Sequence, residues 1–313
     1  MLRIILSVIC VLFFSPAFGQ TIITNTLTAE YVDVPGTKVS LIPPKGFTKA
    51  GDFVGFQQSE SGSSIMVSQI GGGFSEIKPG LTKEAFLSKG VVMQTMDSVV
   101  INNIPGRFIT GLQTMRGMTY MKYMLAFGTD DETVFINGVF PDGMQELGPG
   151  IKAALLSVYY DAWKKINPLD AVDFEVNVSA TKLILANNGT PGSLLYSMDG
   201  LVPTKSKDET TFMVTKSISQ VNISDKKLFA LNRLRQMPIK IEKIDSTNAI
   251  TIDGISGYES FATMRGSNGK ERRIYQVILY SDHSYYILFG TTNDLTATSI
   301  EQLRLVAKTF KRK

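Results

Sequence analysis

The sequence predicts an α+β fold of two tandem domains, each an antiparallel β-sheet flanked by helices. Three observations predict it. Strand-like stretches recur in the same order in both halves of the chain. Each half closes on an amphipathic helical pattern, and neither shows the regular β-α-β alternation of a parallel sheet.

The elements follow in chain order. Arg3 precedes an apolar run from Ile4 to Phe14 that is interrupted only by Ser7, and small residues stand at Ala17 and Gly19. This pattern predicts a secretory leader over residues 1–19, cut between Gly19 and Gln20. The run is shorter than the ~20 apolar residues of a membrane span. Cys10 lies within the run behind bulky Ile9, which does not suit a lipidated cysteine. Residues 20–36 read as an extended segment, 37–165 as the first domain, 166–173 as a linker and 174–313 as the second domain.

The first domain opens with strands at Lys38–Ile42, Phe53–Gln58 and Ser64–Ile70. Thr82 and Ser224 are the expected N-caps of a first helix in each domain, with Phe86-Leu87 and Leu228-Phe229 inside it. Four strands follow, and Gly128–Asp131 and Ser281–Ser284 join the last two in each half as hairpins. Ile151, Ala154, Leu155, Val158 and Tyr159 recur at helical spacing, as do Ile300, Leu303, Val306, Ala307 and Phe310. Asn167-Pro168 breaks the chain between the domains, and Phe174–Val178 alternates as the next strand. Trp163, the only tryptophan, is expected to pack between the domains, with a place at the edge of a binding site as the alternative.

The duplication rests on aligned segments. Val100–Phe108 corresponds to Thr251–Tyr258 at a spacing of 151, Tyr123–Phe127 to Tyr275–Leu279, Phe135–Gly138 to Tyr286–Phe289, and Ser64–Ser68 to Thr211–Thr215.

Composition excludes several functions. Hydrophobic residues at 43% and charged residues at 19% describe an ordinary globular chain. Without its leader the chain holds no cysteine, so it is expected to be stabilised by burial rather than by disulfides. The net charge of +4 is spread thinly: Lys226-Lys227, Arg233, Arg235, Arg272-Arg273 and Lys311–Lys313 fall on expected helix faces or termini. That is not the dense, aromatic-laced basic patch of a nucleic-acid interface.

Catalytic and metal-binding patterns are equally sparse. One histidine, His283, sits in an expected turn. A single His without Cys cannot build a structural zinc site, and no G-x-S-x-G elbow presents a serine. Gly71-Gly72-Gly73 lacks the ending of a phosphate-binding loop, so it reads as a flexible loop. Asp130-Asp131-Glu132 is an acidic cluster from which a carboxylate pair for acid/base work could be drawn. Met115, Met118, Met121 and Met124 recur at every third position, and spaced thioethers suit Cu(I). On a strand, however, alternation turns Met118 and Met124 away from Met121, and methionine also fills irregular cores.

Val39-Ser40-Leu41-Ile42-Pro43-Pro44-Lys45-Gly46-Phe47 resembles the opening of PsbP-like domains, an apolar strand running into a Pro-x-Gly-aromatic turn. The later Ile-x-x-Ile-x-Gly segments, the long hairpin and the last helix follow that family's order, so the chain resembles two tandem copies of it. The likeness covers Thr37 to about Tyr160 well and Phe174–Lys313 less well, since Leu185–Gly189 stands in place of the proline turn. The resemblance implies an antiparallel sheet flanked by helices and an exported, mostly non-catalytic protein that binds or assembles partners. It carries over no catalytic, cofactor or metal residue. The expected role is thus an envelope binding or accessory protein, periplasmic or secreted. Its partner would be an unknown protein or envelope component rather than nucleic acid, and the mature chain would have no transmembrane segment and no cofactor. A carboxylate-dependent extracellular hydrolase and a carrier of a small apolar ligand are the alternatives.

Overall fold

Asn102-Asn103, Arg116-Gly117 and Asp253-Gly254 each place two successive residues in the left-handed region, at φ 47° and 67°, 51° and 80°, and 51° and 72°. Such turns twist in the sense of the strands they join, so long two-stranded hairpins grow on both sides of them. The computed structural model describes residues 21–186, 189–218, 222–237, 240–265, 269–282 and 284–313. The expected leader with its Gly19–Gln20 cleavage site, Cys10 and His283 all lie outside the described residues.

In the first half the elements are β1 (Thr21–Ile23), β2 (Val32–Asp33), β3 (Val39–Leu41), β4 (Thr48–Lys49), β5 (Gly55–Gln58), β6 (Ser63–Gly71), α1 (Phe74–Ile77), α2 (Lys83–Leu87), β7 (Val91–Ile101), β8 (Ile104–Met115), β9 (Met118–Gly128), β10 (Glu132–Pro141), α3 (Gly148–Leu156) and β11 (Tyr159–Tyr160). The second half holds β12 (Phe174–Glu175), β13 (Ile184–Leu185), β14 (Ser193–Ser197), β15 (Thr211–Lys216), α4 (Lys226–Arg235), β16 (Ile241–Ile252), β17 (Ile255–Arg265), β18 (Glu271–Ser281), β19 (Ser284–Thr292), α5 (Ala297–Lys308) and β20 (Lys311–Arg312). The protein is therefore mixed α and β, with mostly antiparallel sheets and few helices.

Two large sheets form. One is ordered β1-β7-β8-β9-β10-β6-β5-β4, the other β13-β14-β15-β19-β18-β17-β16. Every pairing in them is antiparallel except β1 beside β7. Read from the β5 and β14 ends, the central six strands run in the same connectivity in both sheets.

One face of each sheet, here the inner face, packs on the helix that follows it. Ile151, Ala154 and Leu155 of α3 meet Phe108, Leu125, Phe127 and Ile136 in one cluster. Leu303, Val306 and Ala307 of α5 meet Phe212, Tyr275, Val277 and Leu288 in another. Each fully buried aliphatic or aromatic side chain contributes about 1.5–3 kcal/mol. The close approach depends on one glycine in each sheet. A Cβ on Gly138 would lie 2.4 Å from Ile151, and one on Gly290 would lie 2.7 Å from Leu303.

Gly138 pairs with Tyr123 and Ile65, and Gly290 with Tyr275 and Phe212, so the two glycines hold the same place. This corrects the aligned segment Phe135–Gly138 against Tyr286–Phe289, which is one residue out. By strand pairing Val134 corresponds to Tyr286, because the spacing that relates Tyr123 to Tyr275 carries unchanged through the hairpin into β10 and β19. A one-residue slip exchanges the faces of a strand, so the shift matters. A second correction concerns α4. Its N-cap is Asp225, whose carboxylate accepts from Leu228 N at 2.8 Å, rather than Ser224. Thr82 caps α2 through Ala85 N, as the pattern predicts.

Candidate functional site

The outer faces of the two sheets differ, and the difference creates the candidate site. In the second sheet α4, 10 residues long, lies over β16, β17 and β18. Ala230 packs on Ile278, Tyr280, Tyr285 and Ile287, and Leu234 on Ala262, Met264 and Ile274. In the first sheet the equivalent chain makes only α1 and α2, of 4 and 5 residues, and α2 sits at the edge over β7. Between these short helices and β8, β9 and β10 a cavity of about 680 Å³ is left, walled by Ile77, Leu81, Phe86, Ile109, Met124 and Phe135 among others. That volume falls within the ~300–1,000 Å³ of small-molecule sites.

Three polar groups project into this apolar groove. Lys122 is half-buried on β9, and among the described residues it has neither an ion-pair partner nor a hydrogen-bond partner. Burial holds its ammonium below the ordinary lysine range. Gln113 donates through Nε2 to Lys89 O at 3.0 Å, which fixes its amide and leaves Oε1 buried without a partner. Asn137 Oδ1 is likewise buried and unpartnered. Registered through the strand pairings, Lys122 holds the position that Ile274 holds in the second sheet, under Leu234.

The structure distributes the other candidates as follows. Met115 and Met118 face each other across the β8–β9 hairpin end, 42% and 57% exposed. Met124 lies on the same face but six positions from Met118, roughly 20 Å along the strand. Met121 packs from the opposite face against the inner core. The four thioethers therefore do not converge on one point.

The glycine loop at residues 71–73 is clamped to the β9–β10 hairpin: Gly72 N donates to Asp131 O and Phe74 N to Thr129 O, both at 2.9 Å. These donors are occupied and do not form a phosphate cradle. In the neighbouring acidic cluster Glu132 accepts from Lys38 Nζ at 2.7 Å and also from Gln69 Nε2 and Tyr160 OH. Burial and then the Glu132 carboxylate push the Tyr160 phenol well above its usual range. Held by these three donors, one of them the Lys38 ammonium, Glu132 is tied into the wall of a cavity of about 770 Å³. Among the described residues, no group of three or more His, Cys, Asp or Glu is placed to hold a metal ion.

Trp163 requires a correction. It is 92% exposed, lines that second cavity and is not packed between the two halves. The chain at 161–164 closes a tight turn, with Asp161 Oδ1 accepting from Trp163 N at 2.9 Å, and the indole is directed outward. Lys216 makes one contact between the halves, its ammonium reaching Asp52 at 3.0 Å as well as Asp173 at 2.8 Å. The groove was not read from the sequence. Its one available signal was Lys122 on an otherwise apolar alternation.

No family model and no curated protein matches the chain. Among solved structures it is similar to PA94, a protein of unknown function from Pseudomonas aeruginosa, at 13% identity and TM-score 0.29 over 50% of this chain and 90% of that one. It is similar to LpqN, involved in cell envelope biogenesis of Mycobacterium tuberculosis, at 16% identity and TM-score 0.32 over 44% and 82%. It is also similar to TplEi, a T6SS immunity protein of Pseudomonas aeruginosa, at 7% identity and TM-score 0.33 over 91% and 97%. Likenesses this distant leave function to the geometry. Among the described residues, no helix is long and apolar enough to cross a membrane.

Proposed function

We propose that this chain is an exported, non-catalytic binding protein of the cell envelope, built from two PsbP-like modules over residues 37–165 and 174–313. Residues 1–19 act as its leader, and the mature chain works in the periplasm or outside the cell. The first module carries the ligand site and the second braces it. The matched connectivity of the two sheets and their glycine-seated helices support the tandem reading.

One observation carries the functional reading. The outer face that α4 closes in the second sheet stays open in the first, as an apolar groove with convergent polar groups. That arrangement is the usual form of a small-molecule site, and it favours the carrier of an apolar ligand over a hydrolase. A hydrolase would need a free carboxylate pair, and Glu132 of the acidic cluster is already engaged by Lys38, Gln69 and Tyr160.

The test is binding of N-phenyl-1-naphthylamine, a neutral apolar fluorophore, to the purified mature chain. The expected result is a saturable one-site fluorescence rise that Met124→Trp, filling the groove, reduces at least tenfold in affinity. No saturable binding, or binding that Met124→Trp leaves unchanged, would sink the reading.

A further inference from the structure

The ligand class follows from what the groove does with charge. Lys122 stands where the second sheet has an isoleucine, in a wall made mostly of apolar side chains. A half-buried ammonium without a counter-ion is unfavourable, since burying a charge is costly unless it is paired. Burial already lowers its proton affinity. The titratable groups around it are few: Lys89 and Glu76 line the same groove, and both are exposed. The two cations outnumber the one acid, so the groove is weakly electropositive. The unpartnered oxygens of Gln113 and Asn137 belong to the same lining and lack a donor. A ligand that satisfies this site has an apolar body and an anionic oxygen for Lys122.

Resting on the groove reading above, we propose that the first module binds single-chain amphiphiles with an acidic head, the acyl chain lying along β8, β9 and β10 and the head at Lys122. The cavity of about 680 Å³ has room for one such chain. Carboxylate and phosphate heads share the required chemistry, so a free fatty acid and an anionic lysophospholipid are the two sources.

The test displaces N-phenyl-1-naphthylamine from the mature full-length chain with hexadecanoate, hexadecanol and palmitoyl-lysophosphatidylglycerol. In the wild type at least one acidic amphiphile should compete at a tenfold or lower concentration than the alcohol, and the stronger of the two identifies the source. Lys122→Met should remove that preference while leaving hexadecanol unchanged, and Lys122→Arg should keep it. Equal potency of acids and alcohol in the wild type overturns the proposal, as does a preference that survives Lys122→Met. Either result leaves the groove itself standing, because the fluorophore still binds. Failure of the fluorophore to bind at all is the separate outcome that removes the underlying reading.

Discussion

Glu259 gives the sharpest handle on how the second sheet holds its helix. It is 4% exposed, and its carboxylate accepts from Arg304 Nε at 3.1 Å and Arg304 Nη2 at 2.9 Å on α5, and from Tyr275 OH at 3.1 Å. Consider Glu259→Leu, which keeps the volume and removes the charge. Breaking a buried pair by deleting one partner costs about 3–5 kcal/mol. Arg304 keeps 32% of its side chain in contact with solvent and can rehydrate, which points to the lower end of that range. Tyr275 is fully buried and loses an acceptor, which adds about 1 kcal/mol. The expected loss is therefore about 3–4 kcal/mol, read as a shift in urea midpoint by far-ultraviolet circular dichroism. The double variant Glu259→Leu with Arg304→Leu should recover most of it, because a well-packed apolar pair replaces an ion pair at little cost. Position 304 corresponds to Lys152 on α3, which among the described residues makes a cation–π contact with Phe108 at 5.4 Å and no ion pair. Lys152→Met should thus cost no more than about 1 kcal/mol. A loss below about 1 kcal/mol for Glu259→Leu, or a double variant as unstable as the sum of the singles, would refute the reasoning.

Gly138→Ala should destabilise by about 1–3 kcal/mol, since its Cβ would meet Ile151 at 2.4 Å, whereas Gly71→Ala, with nothing within 4 Å, should stay within about 0.5 kcal/mol; thermal melts compare the pair. Lys216 predicts a pH dependence. Burial opposes its charge, but Asp173 and Asp52 raise its pKa from 10.5 to about 12. A raised lysine stabilises the folded chain fully below pH 10.5 and loses that contribution as pH climbs through about 12, so the stability gap between wild type and Lys216→Met should close over that window in urea titrations. Calorimetry of the mature chain should resolve two transitions if the two sheets are separate modules, and Glu259→Leu should lower only one of them.

Much of the scaffold was legible because local chemistry dictates it. Asn102-Asn103 and Asp253-Gly254 announce tight hairpins, and the i, i+3, i+4 spacing of Ile151, Ala154 and Leu155 announces a helix that must bury one face. What was not legible depends on distant neighbours. Whether Ser224 or Asp225 caps α4 is settled by which side chain reaches Leu228 N. The one-residue slip in β10 comes from the hairpin before it, where Phe261 and Tyr275 stand one residue farther apart in sequence than their counterparts Thr110 and Tyr123, which the apolar pattern does not mark. The short β3 joins a small sheet with β2 and β11 rather than the main one, and residues 21–23 add an edge strand beside β7 from a segment read as merely extended. Trp163 misled for a related reason, since a lone tryptophan near a junction suggests packing while the turn at Asp161 directs it outward.

The groove was hidden because it is made by what the first sheet leaves uncovered. Two sheets of like connectivity face the same physical demand, to cover an apolar outer surface. The second meets it with a ten-residue helix carrying Ala230 and Leu234, and with isoleucine at position 274 beneath it. If stability alone governed the first sheet, the equivalent position 122 would be apolar and the helix above it longer. Instead a half-buried ammonium and two unpartnered amide oxygens share a space that α1 and α2 border but do not fill. Each of these features is unfavourable to the empty fold, whereas the second sheet has the apolar solution at position 274 and ties the neighbouring buried Gln276 to α4 through Nε2 and Ala230 O, with only its Oε1 left unpartnered. Local departures from the rules that stabilise a fold concentrate where a protein meets its ligand. On that ground Lys122→Met should make the empty chain more stable and less selective at once, and a variant that gained stability without losing its preference for acidic amphiphiles would separate the two effects and break the link between them.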